Sequence, residues 1–81
     1  MEYRVMAERY YHFYLNIDPD ELMRVYRGAA HRLRVRSLEG PVIDLDANHL
    51  RRFTTRSGVQ GSFVLVVNEN NKFLRLERQG S

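Results

Sequence analysis

The sequence predicts an α+β fold with a mainly antiparallel sheet, in the order strand, helix, strand, strand, short helical turn, strand, strand. Three observations predict it. Apolar residues alternate with period two on either side of a stretch where they recur at helical spacing. A helix-start signature, Asp18-Pro19 with Glu21 three residues after the cap, stands at the first change of period. Turn-forming residues at 39–41 and 68–71 divide the strands that follow.

Residues 10–17 alternate, with Tyr11, Phe13, Leu15 and Ile17 on one face and Tyr10, His12, Tyr14 and Asn16 on the other, as a half-buried strand requires. The helix follows at once over 19–29, where Leu22, Val25, Tyr26 and Ala29 form one apolar stripe and Gly28 stands near the stop. From His31 the period returns to two, placing Leu33, Val35 and Ser37 on one face and Arg32, Arg34 and Arg36 on the other. Glu39-Gly40-Pro41 reads as a three-residue hairpin loop. That register sets Val35 opposite Leu45, Arg36 opposite Asp44 and Arg34 opposite Asp46, whereas a two-residue loop would set Val35 against Asp44 and break the apolar face.

Residues 47–53 carry Leu50 and Phe53 three apart, the spacing of a short helical turn that closes one end of the sheet. Residues 54–61 are polar and glycine-punctuated, and are read as a turn followed by a bulge at Gly61. The run 63–67 is apolar on both faces, which marks a central strand covered on both sides. After turn residues 68–71 the last strand spans 73–78, with Leu74 and Leu76 expected on the face of Phe63, Leu65 and Val67. One helix covers one face only. The other would show Tyr10, Tyr14, Val64, Val66 and Phe73, so the sheet is expected either to curl toward a small barrel or to be covered by a second subunit.

At 81 residues there is room for one domain, with its core over about 10–78, near the size at which a lone core is barely sufficient; a homo-oligomer or protein partner is one expected remedy. The absence of cysteine excludes disulfides and thiolate zinc sites and fits a reducing compartment. Charged residues from Glu2 to Arg9 leave no apolar signal core, and the run 63–67 is too short to span a bilayer. A cytoplasmic protein without a membrane partner is the expectation.

Eight arginines and no lysine lie between Arg24 and Arg56, although the formal net charge is only +3. Arginine offers a planar fork that holds phosphate bidentately, so Arg24, Arg27, Arg32, Arg51, Arg52 and Arg56 are the candidates for an anion- or nucleic-acid-binding face. A solvated, partly ion-paired surface is the plainer alternative. Arg32 and Arg36 imitate the arginine pair of PilZ domains, but Thr55-Arg56-Ser57 and Gly61 depart from the element that should follow. Asp44-x-Asp46-x-Asn48 copies the first half of an EF-hand loop, yet His49 stands where glycine and Thr55 where glutamate is needed. Gly58-Val59-Gln60-Gly61 leads into a strand, not between the two helices that a KH-type loop joins. His12, His31 and His49 are dispersed, and no serine or carboxylate pair has a catalytic context, so neither a metal, a cofactor nor an enzymatic activity is expected.

Tyr26-Arg27-Gly28-Ala29-Ala30, Leu50-Arg51-Arg52-Phe53, Gly58-Val59-Gln60-Gly61-Ser62-Phe63 and Lys72-Phe73-Leu74-Arg75-Leu76-Glu77 follow one another in the order found in a family of small bacterial proteins, domain-of-unknown-function family 2835. The chain resembles that family over residues 11–77. The resemblance implies a short stand-alone α+β protein and carries no activity or site. The functional expectation is therefore a small non-catalytic interaction module acting through Tyr10, Tyr14, Val64, Val66 and Phe73, or, as the alternative, a binder of nucleic acid or another anion through the arginines.

Overall fold

Asp18 begins the helix as its sequence requires: its Oδ1 accepts from the Glu21 amide at 2.8 Å, and Glu21 Oε1 accepts in return from the Asp18 amide at 3.5 Å. The computed structural model describes residues 7–28 and 31–80. Its elements are β1 (Glu8–Ile17), α1 (Pro19–Arg27), β2 (Arg32–Arg36), β3 (Val42–Asp46), a 3₁₀ helix η1 (Ala47–Phe53), β4 (Val59–Asn68) and β5 (Phe73–Gln79), the order read from the sequence. Arg24 and Arg27 lie in the last turn of α1, where they complement the helix dipole, and the Gly28 amide closes it on the Arg24 carbonyl. Ala29, placed in the apolar stripe by its spacing, lies outside the described residues.

The strands form two antiparallel sheets, not one: β1-β4-β5, and the hairpin β2-β3. The hairpin, α1 and η1 all lie on the same face of the larger sheet. Phe13, Leu15, Phe63, Leu65 and Leu76 from that sheet pack against Ile43 and Leu45, Leu22, and Leu50 in one cluster. No closed barrel forms among these strands.

Four local expectations need correction. The β2-β3 loop is five residues, 37–41, because the Ser37 amide and hydroxyl both donate to the Pro41 carbonyl, at 3.0 and 2.8 Å. Arg34 therefore pairs with Asp44 and Val35 with Ile43, two residues from the expected register; the shift is even, so the apolar face survives. The expected carboxylate partners of Arg34 and Arg36 are lost. Arg32 Nε instead reaches Asp44 Oδ1 at 3.0 Å, and Arg36 donates to the Gly40 carbonyl.

Gly61 is not a bulge. It pairs in register with Leu15, and a Cβ there would lie 2.9 Å from Arg78 Nη2, so glycine makes room for a guanidinium that lies over the Phe63 ring. The irregularity falls on the other side of β4. Val66 pairs with Arg75 and Val67 with Phe73, which leaves Leu74 as the extra residue. Leu74 is consequently exposed, and Phe73 turns to the core-side face of the sheet together with Val67.

The valines of the outer face need no second layer. Val64 is 4 % and Val66 0 % exposed. In register Val66 lies between Tyr10 on β1 and Arg75 on β5, and Arg75 Nη2 reaches back across it to Glu8 Oε1 at 3.4 Å, where the Tyr10 hydroxyl also donates at 2.7 Å. This polar strap covers the apolar centre with the stems of long side chains. Glu8 is held below the ordinary carboxylate range by the Tyr10 hydroxyl first and then by Arg75, and Tyr10 is raised by the same bond.

Both outer edges of the three-stranded sheet are met by the layer beneath. At the middle of β1, Glu39 Oε1 accepts from the His12 amide at 2.8 Å, its Oε2 lies 2.6 Å from His12 Nδ1, and the Leu38 amide donates to the His12 carbonyl at 2.7 Å. On β5, Arg52 Nη2 donates to the Leu76 carbonyl at 3.0 Å. The turn before β4 is equally tight. Thr55 and Gly58 exchange backbone hydrogen bonds at 2.8 and 3.0 Å, and Gly58, at φ +92°, lies flat against Ile17.

Candidate anion-binding groove

The functional side chains are set by η1. Asp46 caps it, Oδ1 accepting from the Asn48 amide at 2.9 Å, and that bond holds the carboxyl below its usual range. Ala47 and Leu50 are buried, the Tyr26 hydroxyl donates to the Ala47 carbonyl at 2.9 Å, and Phe53 meets Phe63 edge-on at 5.1 Å. With that side anchored, Asn48, His49, Arg51 and Arg52 line the gap toward β5.

The bulge delivers Phe73 to the same place. Its ring stacks on the His49 imidazole at 3.8 Å between centroids, 5° from parallel. The resulting groove, about 360 Å³, is lined by Asn48, His49, Arg51, Arg52 and Phe73 to Leu76. Its wall carries the guanidinium groups of Arg51 and Arg52, and no carboxylate is among the residues that line it. Arg51 is oriented by Nε–H to Asn48 Oδ1 at 3.0 Å and by the Tyr26 ring beneath it at 5.3 Å; Arg52 is oriented by its bond to the Leu76 carbonyl and by the Phe53 ring at 4.7 Å. Each fork keeps donors to spare, because a guanidinium has five N–H groups and these bonds use one apiece. Arg75 borders the groove, but its guanidinium is turned to the outer face, where it is shared with Glu8 and Glu77 and is raised chiefly by its hydrogen bond to Glu8.

A second groove of about 270 Å³ shares His49 and Phe73 with the first. It is mixed in charge. Arg32 is bound there to Asp44, and Asp46 and Asn71 complete its polar lining over Leu45, Leu65 and Val67.

Of the sequence-predicted arginines, Arg51 and Arg52 therefore share one groove and Arg32 lines its neighbour. Arg24 and Arg27 lie exposed on α1, and Arg56 sits in the turn at 55–58; none of these three is among the residues lining either groove. The five residues of the expected interaction face are likewise divided: Tyr10 and Tyr14 are exposed, Val64 and Val66 buried, and Phe73 belongs to the opposite face. Sequence reasoning missed His49 and Asn48. Their signal is three-dimensional, since η1 and β5 meet only after the chain has folded back on β4. Among the described residues no group of three or more potential metal ligands converges, and no helix is long and apolar enough to cross a membrane.

A family model described as protein of unknown function (DUF2835) matches residues 9–79, nearly the whole chain. No curated protein and no solved structure matches it.

Proposed function

The chain belongs to domain-of-unknown-function family 2835, and from the geometry of this member we propose that it is a non-catalytic module that binds an anionic ligand in the groove between η1 and β5. One observation carries this reading: Arg51 and Arg52 line one concavity with no carboxylate among its lining residues. Both forks are held in place before any ligand arrives, which lowers the ordering entropy lost on binding. Phosphate is the anion that best suits convergent planar forks.

A salt titration tests it, with inorganic tripolyphosphate and a mixed-sequence single-stranded DNA as probes. Both should bind at low ionic strength, and the DNA affinity should fall with a log–log slope of roughly −1.4 if two phosphates are neutralised. Arg51→Ala should weaken both. Arg34→Ala, on the hairpin and outside the groove, should leave them nearly unchanged. Failure of both probes at low salt would dismiss the proposal, and equal losses in the two variants would show that binding is spread over the surface.

A further inference from the structure

We propose that the ligand of this groove is a single-stranded nucleic acid, which lays its phosphates along Arg51 and Arg52 and stacks a base on the Phe73–His49 pair; this rests on the anion-binding reading above. The stack is the deciding feature. Phe73 is a large apolar ring left 41 % exposed where two grooves meet, with its position fixed by a parallel imidazole. A site for a simple anion has no use for such a platform, whereas every nucleobase has a π-face that can extend it.

The two grooves differ in the way a nucleotide differs from end to end. The one toward Arg51 and Arg52 is cationic and suits the backbone. The other offers acceptors: Asp44 gives Oδ1 to Arg32, and Asp46 gives Oδ1 to the Asn48 amide, so each carboxylate has a second oxygen for the N–H groups of a base edge. Two carboxylates against the single Arg32 make it less favourable to phosphate than the first groove. The stack between them thus receives a base only from a strand whose bases are unpaired and turned outward, since in a duplex they are already stacked on one another.

Fluorescence anisotropy with three probes of about 12 nucleotides tests this: a mixed single strand, an abasic strand of equal length and charge, and the duplex. The base-bearing strand should bind roughly tenfold or more tighter than the abasic one, and the duplex more weakly than the single strand. Phe73→Ala should erase the advantage of the bases without reducing abasic binding, and Phe73→Trp should retain it. Where Phe73→Ala does not fold, His49→Ala carries the same comparison. Equal binding of base-bearing and abasic strands overturns the inference while leaving an anion site standing; no binding of either removes both. A duplex that binds as well as the single strand also overturns it.

Discussion

Replacing Gly58 and Gly40 by alanine, one at a time, separates the cost of an unusual backbone angle from the cost of a close approach. Both have φ in the range that side chains rarely adopt, +92° and +117°. A non-glycine residue forced there costs on the order of 1–3 kcal/mol. At Gly40 that is the whole effect, because an added Cβ meets nothing within 4 Å. At Gly58 the Cβ would stand 2.0 Å from the Ile17 carbonyl oxygen and 2.9 Å from the Asp18 carbonyl carbon. Neither atom belongs to a flexible side chain, so backbone must move by about an ångström. The movement disrupts the reciprocal Thr55–Gly58 bonds or the Ile17–Val59 pairing, at roughly 1 kcal/mol for each bond lost and more where a buried group is left unsatisfied. Gly58→Ala should therefore cost at least about 2 kcal/mol more than Gly40→Ala. A domain of this size holds only about 4–12 kcal/mol in all, so the Gly58 variant approaches global unfolding while the Gly40 variant remains folded. Urea denaturation followed by circular dichroism measures both. Midpoints lowered equally would refute the reasoning, since they would mean that the turn yields to Ile17 at no cost.

Asp18→Ala removes the acceptor of the Glu21 amide and should destabilise the chain by about 0.5–2 kcal/mol, with Asp18→Asn losing much less, as read from thermal melts. Glu8, Glu39 and Asp46 are all held below the usual carboxylate range, Glu39 first by the His12 amide and then by its ring. Their folded values are depressed, so the stability they contribute is complete above their unfolded values and drains away as pH falls through the folded ones. Urea midpoints should drop on acidification, and Glu39→Gln should flatten part of that slope; an unchanged slope would remove the His12–Glu39 contact from the account.

The fold was legible wherever local chemistry and periodicity agreed. The Asp18–Glu21 capping box, the helical turn at 47–53 and the alternation in β1 are all decided by neighbours within a few residues, and all three appear in the structure. The hairpin register was not legible, because it depends on Ser37 clamping Pro41 and on Glu39 docking at His12, a contact across 27 positions. The groove was half legible. Arg51 and Arg52 were among the six candidate arginines, but His49 and Phe73 become partners only through the one-residue slip at Leu74, which period-two reasoning cannot place. The same slip accounts for Phe73 being assigned to the wrong face. The burial of Val64 and Val66 was hidden for a different reason: alternation tells which way a side chain points, and not whether arginine and tyrosine stems will fold over it.

The two edge contacts of the larger sheet also bear on how this chain behaves in a crowd. A strand's outer backbone groups are a template for another strand, and polymerisation through such edges is the standing hazard of open sheets. Here a foreign strand adding to β1 would have to evict Glu39 and Leu38 at its centre, and one adding to β5 would meet the Arg52 guanidinium at Leu76. What remains on β1 is two short runs either side of His12. These gates are tertiary, held by loops distant in sequence, so they exist only once the hairpin and η1 have docked. Conditions that loosen that layer would open both edges while the three strands themselves are still paired, and aggregation would then begin from a nearly native sheet.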